Sequence, residues 1–318
     1  MLRALLRRLV QSLALLLVLS FAIYGLMGLM PGDPIDLMIA ADPRITSADA
    51  ARLKALYGLD RPLLERYGAW LKAALAGDLG YSRLYGRPVL EVMVPRLVNT
   101  LWLMGPSLVL ALALAVLGGV LAARHPGGRL DAALNLLAFA AFSVPSFWLA
   151  LLLILLFAVE LGWLPPGGVA SVGDGGLWDR VRHLVLPVLT LTLLSVGTFL
   201  RFTRAALIEV LGEDFMRTAR AKGCSRAAQL WVHALPHALL SLITVAALHF
   251  GALLSGALVV ETVFAYAGMG KLIYDAILGN DYNLALAALM LGALLTLCAN
   301  LLADLLYLRL DPRIREGV

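Results

Sequence analysis

Charge is what this chain has least of. Of its 318 residues only 15% are Asp, Glu, Lys or Arg while 61% are hydrophobic, and the mean hydropathy is +0.87. A soluble domain carries nearer a quarter of its residues as charges, so this chain has more apolar side chain than a globule of its length can hide. A bilayer must take up the surplus. The same scarcity excludes a disordered chain and a soluble nucleic-acid binder, although the net charge is +5. Cysteine is nearly missing as well. Cys224 falls in a basic loop and Cys298 in an apolar run, and no disulfide framework or zinc site can be built from such a pair.

Recognisable chemistry is also lacking. The nearest approach to a phosphate-binding loop, Gly268-Met269-Gly270-Lys271, has neither the upstream glycine nor the Ser/Thr after the lysine that would cradle phosphate and magnesium. His125, His183, His233, His237 and His249 fall at no metal-ligand spacing, and no serine lies in a nucleophile-elbow sequence. The expectation is a chain with no catalytic residue, no metal and no cofactor of its own.

What is present is a series of long apolar runs, near residues 9–30, 99–122, 133–157, 184–205, 238–260 and 284–308. Each can supply the roughly 20 apolar residues of a transmembrane helix, which predicts an all-α, polytopic membrane protein with six spans. The first run follows Arg3, Arg7 and Arg8 and ends at Pro31-Gly32-Asp33-Pro34. It is longer than a signal-peptide core and lacks a small-residue cleavage site, so it reads as a retained helix.

Lys and Arg in short loops set the orientation. With the amino terminus inside, the inner pieces hold Arg3, Arg7 and Arg8; Arg124 and Arg129; Arg201, Arg204, Arg217, Arg220, Lys222 and Arg226; and Arg309, Arg313 and Arg315. The short outer loops hold only Arg180, Arg182 and Lys271, which predicts that both termini are cytoplasmic. The chain then divides into a cytoplasmic start and first span (1–30), an extracytoplasmic segment (31–98), a five-helix core (99–308) with a cytoplasmic loop at 206–237, and a tail (309–318).

The outer segment predicts two short helices. Thr46 and Asp49 suit a capping box, with Gly58 past the helix end. The second helix has Asp60 and Pro62 at its start, an apolar face of Leu63, Tyr67, Trp70, Leu71 and Ala74, and Gly77 at its end. Too short to hold a core alone, the segment is expected to act as a lid or docking surface over the outer helix ends. Polar residues at depth are few. Asp304, Asn300 and His249 form a candidate intramembrane polar site, since a carboxylate within a span is by default a functional hypothesis. An ion pair with a nearby arginine at the basic end of the last span is the alternative role for Asp304. Asn135 is a further polar residue at depth.

The most informative segment joins the fourth and fifth spans, EVLGEDFMRTARAKGCSRAAQLWVHALPHAL at 209–239. Far longer than a turn requires, it places Ile208, Leu211, Phe215, Met216 and Ala219 at three- and four-residue spacing, with Arg217, Arg220 and Lys222 on other faces and Gly223 at the end. On spacing alone two readings stand: an amphipathic helix lying on lipid headgroups, or one engaging a cytoplasmic partner.

The segment resembles the cytoplasmic loop of ATP-binding-cassette importer permeases, whose pattern is Glu-Ala-Ala, three residues, Gly, nine residues, Ile-x-Leu-Pro. Aligned on Gly223, this chain has Arg217-Thr218-Ala219 and then His233-Ala234-Leu235-Pro236. The second Ala, the Gly and the Leu-Pro match; the Glu, the first Ala and the Ile do not. The wording Arg217-Thr218-Ala219-Arg220-Ala221-Lys222-Gly223 is similar to the dipeptide, oligopeptide and nickel branch. So, in order along the chain, are Pro31-Gly32-Asp33-Pro34, Gly58-Leu59-Asp60, Gly77-Asp78-Leu79-Gly80, Pro145-Ser146-Phe147-Trp148, Gly162-Trp163-Leu164-Pro165, Glu261-Thr262-Val263-Phe264 and Asp311-Pro312-Arg313-Ile314-Arg315. Together they resemble the first of that branch's two permease subunits.

The resemblance implies a type I importer permease of a bacterial inner membrane. It implies as partners a second homologous permease, two cytoplasmic ATP-binding subunits that carry ATP and magnesium, an extracytoplasmic substrate-binding protein and the lipid bilayer, with no nucleic acid. The coupling loop would be Asp214, Phe215, Met216, Arg217, Ala219, Arg220, Gly223, Leu235 and Pro236. Phe215 and Met216 would be apolar anchors for a partner pocket, and Arg217 and Arg220 would steer an acidic rim. Pro145, Pro187, Gly251 and Gly256 would allow bends or close helix approach along a path lined by the third to fifth spans. The implied cargo is a short peptide, with nickel or another small solute as the alternative within the family. A carrier or channel working alone would need coupling carboxylates or a polar pore ring and would have no use for the long loop; a scaffold without transport is the third class.

Overall fold

The computed structural model describes residues 2–28, 61–173 and 175–310; of residues 2–5, 241, 252–256, 303–304 and 306–310 it describes the backbone alone. The helix expected from Thr46 to Gly58 and the motif at Asp311–Arg315 lie outside the described residues, as does the Asp304 side chain, and of Gly256 only the backbone course is described. Ten helices of eight residues or more make up most of the described chain: α1 (Leu2–Met27), α2 (Leu63–Leu75), α3 (Val89–Ala123), α4 (Arg129–Ser143), α5 (Ser146–Leu153), α6 (Leu177–Gly212), α7 (Asp214–Ala221), α8 (Leu235–Val263), α9 (Met269–Leu278) and α10 (Tyr282–Leu310). Two wide π turns, Ile154–Glu160 and Gln229–Ala234, extend α5 and lead into α8. Two short antiparallel strands, β1 (Tyr81–Ser82) and β2 (Arg87–Pro88), pair Tyr81 with Pro88.

Among the described residues, four stretches are long and apolar enough to cross a membrane: Leu6–Met27, Val89–Ala123, Leu177–Gly212 and Tyr282–Leu302. Two bent pairs complete the six expected spans if each is counted as one. The bend corrects the reading of 133–157 as a continuous helix. The chain turns by 101° between α4 and the α5 segment, with Val144 and Pro145 both extended at the break. Proline disfavours the α conformation in the residue before it, so α4 must stop there. Pro187, by contrast, lies inside an unbroken α6.

Two compact units are present, one of residues 98–271 with 1–8 and 296–318, the other of 9–97 and 272–295. In the larger, three apolar clusters follow one another along α3 and α6. The first holds Leu103, Met104, Leu186, Val260 and Tyr266; the second Ala111, Ala138, Phe199 and Leu242; the third Val120, Leu207, Met216 and Leu235. Small residues bring the backbones together. A Cβ on Gly197 would lie 2.5 Å from the Ala138 carbonyl oxygen, and one on Gly119 would lie 2.6 Å from the Thr203 methyl.

In the smaller unit, α2 forms where its pattern predicts. Glu65 in the first turn and Lys72 in the last complement the helix dipole. Gly77 takes φ +86, and Asp78 and Gly77 donate back to Ala73 and Ala74, which closes the helix in a Schellman motif. Tyr67 on the apolar face meets α1: its hydroxyl is 2.6 Å from that of buried Ser20, and its ring is 5.2 Å from Phe21. Asp281, also buried, accepts from the Ser82 hydroxyl at 2.5 Å and the Leu84 amide at 3.0 Å, and caps α10 through the Leu284 amide at 3.3 Å.

Candidate functional site

The loop at 206–237 is built on the end of α6. Glu213 is extended (φ −66, ψ 155), so it ends α6 and starts α7 at once. This corrects the single amphipathic helix read from Ile208 to Ala219: Ile208 and Leu211 belong to α6, and only Phe215, Met216 and Ala219 to α7. The two helices stay tied, because Arg220 of α7 donates from Nη2 to the Leu211 carbonyl. At the other end of α7, Gly223 takes φ +78, and Cys224 and Gly223 donate to Ala219 and Arg220 in a second Schellman motif. Gly223 therefore fixes where the chain reverses.

Met216 corrects a second expectation. It is fully buried among Val120 and Ala123 of α3, Leu207 of α6, and Ala234, Leu235 and Ala238 at the start of α8. Its side chain anchors α7 to its own spans and offers nothing to a partner; burial of a methionine contributes about 1.5–3 kcal/mol to that attachment. Ala219, one turn on, is buried beside it, because a three-residue step returns to the same helix face. The exposed face carries Phe215, 42% accessible and 4.9 Å from the His237 ring, with Asp214 and Arg217 joined by an ion pair of 3.1 Å. Exposed pairs of this kind contribute at most about 1 kcal/mol, so both groups remain free to exchange partners.

After Gly223 the chain is held at each step. Ser225 caps the next turn by accepting from Ala228, the Gln229 amide donates to the Cys224 carbonyl at 2.8 Å, and Cys224 Sγ lies 3.8 Å from His233 Nε2. The π turn at Gln229–Ala234 then runs directly into Leu235 and Pro236. A proline in a helix has no N–H to donate and its ring crowds the carbonyl four residues back, a strain that a wider turn just upstream relieves. Leu235 is buried and Pro236 exposed.

Besides Asp281, three buried acid sites escaped the sequence reading. Asp131 of α4, 3% accessible, is held by a two-pronged Arg204 contact from α6, with Nη2 to Oδ2 at 2.7 Å. Asp179 accepts from the Ser171 amide and hydroxyl at 2.6 and 2.8 Å and fastens the loop before α6. Glu261, fully buried, accepts from the Thr100 hydroxyl at 2.6 Å and the Lys271 amide at 3.0 Å, and Thr100 accepts from the Met269 amide at 2.8 Å. Glu261 and Thr100 thus satisfy the first amides of α9. Only the Glu261-Thr262-Val263-Phe264 motif signalled any of these; Asp131 and Asp179 sit beside loops, where an acid looks ordinary. Of the expected polar site, His249 lies edge-on to the Phe199 ring at 5.0 Å and Asn300 is half-buried on α10.

Comparison with known proteins places this architecture. Residues 115–316 match the model for the inner membrane component of binding-protein-dependent transport systems, and residues 1–103 match that family's N-terminal model. The chain is 38% identical over 310 residues to the oligopeptide transport system permease protein AppB of Bacillus subtilis, covering 97% of this chain and 98% of that one. A protein of Sinorhizobium fredii named "Probable peptide ABC transporter permease protein y4tP" is also 38% identical, over 98% of both chains. An inward-facing structure of the MetNI methionine ABC transporter matches the fold with TM-score 0.58 at 19% identity, over 70% of this chain and 97% of that one. The chain therefore belongs to the family of inner-membrane components of binding-protein-dependent transport systems, as a multi-pass permease subunit working with an ATPase and a binding protein.

Proposed function

We propose that the chain is one of two homologous permease subunits of an ATP-driven importer of short peptides, di- to oligopeptides. Its full-length similarity to proteins named as oligopeptide and peptide permeases supports that cargo over nickel. The observation that carries the mechanism is the construction of α7: one face anchored through Met216 to three span ends, the other presenting Phe215, Asp214 and Arg217 outward. A helix docked on a cytoplasmic ATPase needs both faces, one to be gripped and one to pass the displacement on.

In this reading both termini and α7 are cytoplasmic, and two ATP-binding subunits supply ATP and magnesium. Closure of those subunits on ATP draws the loops together and shifts the permease pair between inward- and outward-open packings, because nucleotide binds the two states unequally. A substrate-loaded binding protein docks outside. The chain's own part is mechanical: Gly223 and the capped turn after it keep α7 at a fixed angle to α6 and α8. The test is reconstitution with the second permease, ATPases and binding protein, following uptake of a labelled tripeptide and of nickel. Tripeptide uptake that needs ATP and falls when the Phe215–Arg220 face is replaced supports the reading. Uptake without any ATPase subunit overturns it.

A further inference from the structure

The Arg204 contact with Asp131 does more than neutralise a buried acid. We propose that Asp131 and Arg204 are positioning residues that lock α4 to α6, so that displacement of α7 reaches α4 and, across the Val144–Pro145 elbow, α5. The inference rests on α7 being the helix an ATPase moves, and it adds the route by which that motion leaves the loop.

The route can be followed residue by residue. α7 is joined to α6 by Glu213, by the buried Met216 beside Leu207, and by the bond from Arg220 to the Leu211 carbonyl. On α6, Arg204 faces Asp131, and Arg201 places its guanidinium 4.6 Å from the Phe139 ring of α4, so two arginines three residues apart both reach α4. Gly197, two turns earlier on α6, lets the Ala138 backbone of α4 approach closely, so the two helices are in contact beyond the ion pair as well.

The carboxylate is also saturated. Besides Arg204 it accepts from the Gly127 amide at 2.8 Å and the Asn135 amide group at 2.7 Å. It cannot turn to a new partner without abandoning all of these together. A bidentate Arg–carboxylate pair fixes orientation as well as distance, and removing one partner leaves the other charge buried and uncompensated. This arrangement suits a permanent tie and not a latch that opens in each cycle. A helix bent by 101° at its far end is where such a tie is needed, since an elbow transmits motion only if the arm that drives it does not slip.

The test uses the assembled complex in which Cys224 and Cys298 are serine and spin labels sit at exposed Leu137 of α4 and at exposed Ala221, the last residue of α7 and outside its Phe215–Arg220 face. The label-to-label distance is measured nucleotide-free and with the ATPases trapped by ADP and vanadate, with ATP turnover per assembled complex recorded alongside. With Asp131 and Arg204 present, the distance is expected to be the same in both states. Asp131→Asn is expected to shift or broaden it on trapping while turnover persists, and Arg204→Lys, which keeps the charge but loses the fork, to give a smaller change in the same direction. If Asp131→Asn does not assemble, Arg204→Lys decides. A distance that already changes on trapping in the parent, or stays fixed in both variants, overturns the clamp. A parent complex that hydrolyses no ATP overturns the reading of α7 itself, a separate result.

Discussion

The ring of Phe215 lies 4.9 Å from the imidazole of His237, so the first turn of α7 rests on the first turn of α8. One residue further, about 100° around the helix, Met216 has no exposed surface. The two adjacent side chains therefore do different work. Met216→Ala removes a core side chain and is expected to destabilise by about 2–5 kcal/mol, seen as a lower apparent Tm of the purified chain, with Met216→Leu recovering most of it. Phe215→Ala is expected to leave Tm near the parent and to weaken ATPase co-purification. Equal losses of Tm for both would contradict this division.

Two glycines of similar appearance in sequence differ in what a methyl group would meet. Gly223 has φ +78 but open space around it, so Gly223→Ala is expected to cost only about 1–2 kcal/mol of backbone strain, and Gly223→Asn less. A Cβ on Gly268 would lie 2.2 Å from a carboxylate oxygen of buried Glu261. Gly268→Ala is therefore expected to abolish accumulation of folded chain, where Gly223→Ala leaves it, measured by fluorescence-detected size exclusion.

Glu261→Ala leaves the Thr100 hydroxyl and the Lys271 amide without their acceptor. Each buried group stranded in this way costs about 1–3 kcal/mol. Faster hydrogen exchange at Gly268–Leu272 is the expected signature, with Glu261→Gln showing a smaller effect because its carbonyl still accepts one bond. Unchanged exchange in Glu261→Ala would mean that the carboxylate does not hold the start of α9.

In the smaller unit, Asp281 receives Ser82, Leu84 and Leu284 together. Asp281→Ala is expected to loosen the β1–β2 hairpin and the α10 start at once, and Ser82→Ala to loosen the hairpin alone. Limited proteolysis within Tyr81–Pro88 reads the first effect, and hydrogen exchange at Leu284 and Ala285 reads the second.

The α2 helix shows how far local sequence reaches. The Tyr67–Trp70 face and Gly77 are neighbours in sequence and in space, so propensity and period sufficed to place its face and its end; its start differs, since Pro62 stands at the cap and not in the first turn, and Asp60 lies outside the described residues. The same logic found Gly223 at the end of α7. It failed two residues before α7 began, where Gly212 and Glu213 interrupt an apolar period that runs on across them, because period reports which face is apolar and not whether the backbone is continuous. It failed again at Met216: spacing marks an apolar face but not whether a partner or the chain's own spans cover it.

By itself, then, the sequence determined the membrane class, the number of apolar runs, the short helix α2 and the family, all of which follow from composition, local period and ordered motifs. Only the tertiary structure decided which acids are buried and by what they are held. Asp131 meets Arg204 across 73 residues and Asp281 meets Ser82 across 199. A carboxylate is stable in an apolar interior only where several donors converge on it. No local pattern announces that convergence, since the donors come from helices and turns that meet only when the chain has folded.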